Sequence, residues 1–212
     1  METSGFFGGL NSLFEWITRL AFLNLLWIAF TACGLVIFGF FPSTVAMFAV
    51  VRKWALGDLH VPIFKTFWDS YKKEFMKSNI LGVLIGLISF VLCFDYLYLR
   101  QASDEIYQLF SVPLLIVIIL FICMLLYIFP MYVHYEMKAV QIIKNSFFVM
   151  IMNPISTFIM LIGTLGLIFL LTFAPPLTIV ISGNVIALAI VKPAINSFNK
   201  INRKYKLMQQ QA

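Results

Sequence analysis

Long apolar runs occupy most of this chain and determine what it can fold into. A helix needs about 20 apolar residues to cross a hydrocarbon core of roughly 30 Å. Only 11% of the residues are charged, whereas roughly a quarter are charged in soluble proteins. We therefore predict an all-α polytopic membrane helical bundle, a single membrane domain over residues 1–212 with five transmembrane helices. The predicted spans are residues 20–41, 80–99, 112–129, 155–173 and 177–191. The last of these is short, because it follows Pro175 and Pro176, which cannot continue a preceding helix.

The basic side chains between the runs predict the orientation in the membrane. The chain has 15 Lys and Arg residues, and all but Arg19 and Arg100 fall on one face of the five-span arrangement. Cationic side chains near spans are retained on the cytoplasmic side. We therefore expect a membrane protein with its N-terminus outside the cell and a basic cytoplasmic tail, residues 192–212. The net charge of +6 then favours anionic lipid headgroups over nucleic acid as its counterpart.

Two amphipathic segments are predicted to lie at the membrane surfaces. Residues 1–19 have helical apolar spacing and are expected to form an outer interfacial helix. Residues 42–79 form a cytoplasmic amphipathic region, in which an aromatic stripe runs along a basic helix from residue 63. This helix either lies on the inner membrane surface or docks a partner. The candidate docking residues are Trp68, Tyr71, Lys72 and Phe75, and the candidate interface anchors are Arg52, Lys53 and Trp54.

Small residues and a weak repeat bear on how the spans pack. Gly82 and Gly86 form a GxxxG pattern, which lets helix backbones approach closely in a bilayer. The predicted spans 20–41 and 112–129 both end near a Phe-Pro pair, at Pro42 and Pro130. An amphipathic stretch and a second span follow in each half. This order predicts a parallel two-helix repeat, related by an axis along the bilayer normal.

No arrangement of residues in the sequence predicts catalysis, a cofactor or a metal. The three cysteines lie inside apolar runs, without the spacing of a zinc site. The two histidines, His60 and His134, have no nucleophile placed to work with them. We therefore expect a protein that is not an enzyme and has no cofactor.

Several short motifs in the first 80 residues form a recognisable pattern. They are Asn24-Leu25-Leu26-Trp27, Gly34, Gly39, Pro42-Ser43-Thr44, Ala46, Arg52-Lys53-Trp54 and the run Phe67 to Phe75. This pattern resembles the YesL-like family of small bacterial integral membrane proteins, in which an Asn is more usual at the position of Glu74. The resemblance implies a location in the bacterial cell (inner) membrane. Family members tend to be encoded beside carbohydrate-uptake ABC transporters and enzymes that degrade pectin-derived rhamnogalacturonan. The resemblance thus implies an accessory role in oligosaccharide uptake, with an ABC sugar permease or a sensor protein as partner. A small stand-alone transporter or channel, acting as a homo-oligomer, is the alternative.

Overall fold

The computed structural model describes residues 6–101, 104–173 and 175–211. These residues form seven helices and no strand, which confirms the predicted all-α fold. The helices are α1 (Phe6–Cys33), α2 (Ile37–Ala55), α3 (Ile63–Leu99), α4 (Asp104–His134), α5 (Ala139–Met152), α6 (Pro154–Thr172) and α7 (Pro175–Gln211). The first five residues of the predicted outer interfacial helix and the last residue of the predicted tail lie outside the described residues.

Four of the described helices contain segments long and apolar enough to cross a membrane. The segments are Phe14–Cys33, Ile63–Leu99, Leu109–His134 and Pro154–Thr172. The predicted spans 80–99, 112–129 and 155–173 each fall within one of these segments or extend a single residue beyond it. The predicted count of five spans is not confirmed. The fifth predicted span, 177–191, lies in α7, which is not among the four helices that contain a candidate span. The side chains of residues 177–182 are outside the described part of that helix.

The chain reverses direction after α1, so the predicted span 20–41 is not a single helix. Leu35 and Val36 adopt positive φ angles of 57° and 63°, which L-residues rarely adopt and which end the helix. The amide of Gly34 donates to the carbonyl of Phe30 at 3.1 Å, and the amide of Val36 donates to that of Thr31 at 2.9 Å. A backbone that satisfies its own amides in this way can remain in an apolar environment.

Close packing of glycines makes this reversal sterically possible. A Cβ atom on Gly34 would overlap the Cα of Gly39, and one on Gly39 would overlap the carbonyl oxygen of Thr31. Farther along the hairpin, the Trp27 Nε1 donates to the Thr44 hydroxyl at 3.1 Å. The helices α1 and α2 therefore form an antiparallel hairpin that is tightest at its turn.

The same hairpin brings together two segments that the predicted topology places on opposite sides of the membrane. The Arg19 guanidinium donates to the carbonyl oxygen of Leu59 at 2.6 Å, and the Trp16 and Trp54 rings lie 5.6 Å apart. No bilayer can separate groups in contact, so Arg19 shares a side with the α2–α3 connection. The prediction treated residues 1–19 as a separate interfacial helix, whereas residues 6–33 form one uninterrupted helix, within which Glu15 pairs with Arg19 at 2.5 Å.

Helix α2 lies at the centre of the bundle, where it contacts α1, α3, α4 and α7. Its buried side chains run almost continuously from Pro42 to Val51. Pro42 lies inside the helix, where it removes the amide that would otherwise donate to the carbonyl of Phe38. The Phe48 ring stacks on Phe129 of α4 at 5.3 Å, and this contact joins the hairpin to the rest of the bundle.

The two halves of the predicted repeat differ in the structure. In the first half, the amphipathic stretch and the span are continuous in α3, which is 37 residues long. In the second half they are separate helices, because α5 ends at Met152 and Pro154 begins α6. Proline lacks the amide needed to continue α5 and is favourable in the first turn of α6.

Helix α7 closes the bundle and includes the predicted tail. The Asn184 side-chain amide is fully buried and donates to the carbonyl of Leu20 in α1. Farther along, Phe198 is buried beside His134, and the Asn202 amide donates to the Tyr135 hydroxyl at 3.1 Å. The described part of the tail is therefore helical and packs on the end of α4.

Replacing Gly34 by Ala should destabilise the α1–α2 turn, because the added Cβ overlaps backbone that cannot move independently. We expect a loss of about 1–3 kcal/mol, measured as a lower melting temperature of the protein in detergent. Gly166→Ala in α6 is the matched control, since nothing lies within 4 Å of its added Cβ. Equal melting temperatures for the two variants would contradict the turn described above.

The shared side of α1 and the α2–α3 connection is testable by cysteine labelling. In a cysteine-free background, we expect Ser12→Cys and Asp58→Cys to react with a membrane-impermeant maleimide from the same side. Gln101→Cys, at the far end of α3, is expected to react from the opposite side. Labelling of Ser12→Cys and Asp58→Cys from opposite sides of sealed cells would show that α1 and α2 do not form this hairpin.

Candidate functional site

The first half of α3 presents three different faces, each repeating at helical spacing. One face is buried and includes Phe67, Tyr71 and Ser78. A second face is exposed and carries Phe64, Trp68, Lys72 and Met76. The third carries Lys65, Asp69, Lys73 and Lys77 and lines a cavity. Residues three and four apart lie on one side of a helix, so these faces are separate surfaces.

The predicted docking residues are divided between two of these faces. Tyr71 is only 9% exposed, and its hydroxyl donates to the carbonyl of Phe30 at 3.3 Å. Phe75 packs edge-on against the Tyr71 ring at 5.5 Å. Trp68 is 36% exposed, with the Lys72 ammonium 4.8 Å from its ring centroid. Lys72 and the exposed part of Trp68 are thus available to a partner, although the Trp68 ring also lies 5.3 Å from Phe30 of α1. Tyr71 joins α3 to α1, and Phe75 packs beside Tyr71.

The predicted interface anchors also have different environments. Trp54 is 4% exposed and packs against Trp16, so its indole does not face headgroups in this structure. Lys53 is exposed, with its ammonium 3.4 Å from the Thr66 hydroxyl. Arg52 is half-buried, and its Nε donates to Nδ1 of His134 at 3.4 Å. Arg52 therefore joins α2 to the end of α4.

The two glycines predicted to pack helices have unequal roles. A Cβ atom on Gly82 would overlap the Phe41 ring, so this glycine packs within the bundle against α2. Nothing lies within 4 Å of a Cβ atom on Gly86, which is exposed. The pattern therefore marks one close approach inside the chain, at Gly82.

A large cavity lies between α2, α3 and the α4–α5 connection. It has a volume of about 1270 Å³. We call it the basic groove, because six cationic side chains line it: Arg52, Lys53, Lys65, Lys73, Lys77 and Lys138. Three carboxylates, Asp69, Glu74 and Glu136, also line it, which leaves a formal excess of three positive charges.

Most of the acidic charge in the basic groove is gathered around one lysine. The Lys73 ammonium lies 3.5 Å from Glu136 and 3.8 Å from Glu74. Glu74 also accepts a hydrogen bond from the Tyr132 hydroxyl at 2.8 Å. Within the described ranges, no carboxylate lies within 4.0 Å of the other five groove cations. The groove is therefore suited to an anion.

Sequence reasoning missed this groove. The spacing of Lys65, Asp69, Lys73 and Lys77 marks its α3 wall, and that signal was available. The opposite wall, from Tyr132 to Ile142, comes from a distant part of the chain and was not predictable. Among the residues that the structure describes, no three His, Cys, Asp or Glu side chains are grouped to hold a metal ion.

Comparison with known proteins finds relatives of this chain in Bacillus subtilis (strain 168). Residues 20–96 match the model of a family described as "Protein of unknown function, DUF624". YteU of Bacillus subtilis (strain 168) is 41% identical over 82% of this chain and 78% of its own length. YesL of the same organism is 33% identical over 92% of each chain, and YesV is 35% identical over 90% of this chain and 92% of its own. The chain belongs to the DUF624 family. All three relatives carry the description "Uncharacterized protein", and no solved structure matches.

Membership of the DUF624 family confirms the resemblance predicted from the first 80 residues. The family match spans the α1–α2 hairpin from Leu20 onward and α3 as far as Tyr96. It therefore contains the glycine turn and the α2 and α3 walls of the basic groove. With four apolar helices long enough to cross a bilayer, this DUF624 chain is a multi-pass membrane protein.

The unequal roles of the two glycines in α3 give a matched test within one helix. Gly82→Ala should lower the melting temperature in detergent, because the added Cβ overlaps Phe41. Overpacking of this kind costs about 1–3 kcal/mol. Gly86→Ala should keep or slightly raise the melting temperature, since its added Cβ meets nothing and alanine favours a helix more than glycine does. Adding Phe41→Leu to Gly82→Ala should recover part of the loss, since contacting sites are coupled. No difference between the two alanine variants would refute the assigned contact.

Proposed function

We propose that this DUF624 protein is a non-enzymatic accessory subunit that docks another membrane protein through the exposed face of α3. The observation that supports this proposal is the Trp68–Lys72 pair. The pair is held rigidly, because the buried face of the same helix packs on Phe30 through Phe67, 5.3 Å away. Tryptophan is among the residues most strongly favoured at the centres of protein interfaces.

The proposed partner is an ABC sugar permease or an associated sensor protein. The family resemblance supports this choice, because members tend to be encoded beside carbohydrate-uptake ABC transporters and rhamnogalacturonan-degrading enzymes. The proposed role is in the uptake of plant-cell-wall oligosaccharides such as rhamnogalacturonan fragments. In this role the chain contributes binding and positioning and carries out no chemical step.

We also propose an orientation that places the docking face in the cytoplasm. The cationic side chains of α2 and α3 lie on one side with Arg19, and positive charge is retained inside the cell. The α1–α2 hairpin then enters the membrane and returns to the cytoplasmic side. Helix α7 would cross as a further span, since residues 177–191 carry no charge. Its basic end would lie in the cytoplasm, where Asn202 contacts Tyr135.

Co-purification from the native host in mild detergent tests the docking proposal. We expect the full-length chain to recover an ABC permease or solute-binding protein, and Trp68→Ala/Lys72→Ala to reduce that recovery about tenfold. Growth on the oligosaccharide should fall with it. The matched control is Phe148→Ala/Lys144→Ala on α5, an exposed pair whose ammonium lies 6.0 Å from the ring centroid.

Three outcomes would contradict the proposal. One is unchanged partner recovery and growth in the Trp68/Lys72 variant. Another is an equal loss in the two double variants, which would indicate a general surface effect. The third is recovery of the chain alone as a defined homodimer, which would favour independent transport.

A further inference from the structure

We propose that the basic groove is a binding site for an anionic phospholipid, with Arg52 and Lys77 among the cations that attract its headgroup phosphate. This site lies on a different face of α3 from Trp68 and does not depend on the docking proposal. A phosphodiester is recognised by guanidinium and ammonium groups that no protein carboxylate neutralises. Arg52 and Lys77 meet this condition among the described residues, since neither lies within 4.0 Å of a carboxylate.

The polar contact of Arg52 leaves its binding groups free. Its Nε donates to His134, an interaction that fixes the direction of the guanidinium without cancelling its charge. The two terminal nitrogens have no protein acceptor in the described part of the chain. They present the planar pair of donors that suits two oxygens of one phosphate.

The groove changes from cationic to apolar along its length, and both helical walls change in the same direction. On α3, Ile80 and Leu84 follow Lys77 at helical spacing and line the same cavity. On α2, Ala49 and Val45 precede Arg52 with the matching spacing. The two helices are antiparallel, because Lys53 contacts Thr66 while Gly82 meets Phe41. Away from the α2–α3 connection, both helical walls therefore change from cationic to apolar, with α3 remaining cationic as far as Lys77.

This arrangement selects an amphiphile over a free anion. The apolar end of the groove continues into the uncharged segment of α3 from Ile80 to Phe94. An acyl chain leaving the phosphate could lie along Ile80, which is exposed, and Leu84. Basic pockets between helices at the cytoplasmic surface commonly hold acidic headgroups in this way. A soluble phosphate would leave the apolar half of the groove unused.

The test uses the purified full-length protein in a neutral detergent, titrated with phosphatidylglycerol or with phosphatidylcholine of identical acyl chains. Binding is measured by native mass spectrometry at fixed salt. We expect phosphatidylglycerol to bind about tenfold more tightly, and Arg52→Gln/Lys77→Gln to abolish that preference. The control Lys200→Gln/Arg203→Gln removes the same charge from exposed positions on α7, outside the groove. It should keep the preference.

Two further measurements separate the lipid from other sources of phosphate. Inorganic phosphate and glycerophosphoglycerol, the headgroup without acyl chains, should each fail to displace the lipid at equal concentration. If the double variant is not monodisperse, Lys77→Gln alone is used, since Lys77 is exposed and has no ion pair in the described residues. Its preference for phosphatidylglycerol should fall several-fold.

The proposal is overturned by equal binding of the two lipids to the unmodified protein. Equal weakening in the groove variant and the α7 control would also overturn it, because the attraction would then belong to the whole basic surface. Full displacement by inorganic phosphate would assign the groove to a free anion instead of a lipid.

Discussion

The close approach of Gly34 to Gly39 is the contact on which the rest of the structure depends. It lets the chain reverse within three residues, so that α2 returns along α1 and enters the centre of the bundle. Helices α3, α4 and α7 then pack around α2, and the Arg52–His134 contact joins α2 to α4. A side chain at either glycine would force the two helices apart, because no cavity exists there to receive it.

Helix α3 shows how one rigid element can serve several surfaces in a small membrane protein. Its buried face is fixed by the Tyr71–Phe30 contact, and its other two faces remain available. Because the helix continues without a break from Ile63 to Leu99, both available faces have a fixed position relative to the membrane-embedded half. The exposed aromatic face suits a protein partner, and the groove face suits an anion.

The sequence was sufficient to predict the helical class and the positions of three apolar segments, which lie in α3, α4 and α6. Length and uninterrupted hydrophobicity determine these features, since only helices satisfy backbone groups within a bilayer. The α1–α2 turn was not predictable, because Gly34 lies in an apolar run like any membrane glycine. The role of Gly34 in the turn becomes evident only in the folded structure, where Gly39 lies against it. The contact of Arg19 with the α2–α3 connection was not predictable for the same reason. Predicting the groove needed the contact between Lys73 and Glu136, which lie far apart in the chain.

Helices α3 and α4 are consecutive and form a second hairpin, which the rest of the protein contacts along only part of its length. Between Gly86 and Ile122, none of the residues whose burial is described is buried, so protein contacts stabilise only the half of the hairpin nearest the basic groove. The outer half depends on lipid for its solvation, and a helix pair solvated by lipid adjusts to bilayer thickness by tilting. A mismatch between the apolar length of these helices and the thickness of the bilayer would therefore change the tilt of the outer half of the hairpin. The packed half would keep its geometry across membranes of different thickness.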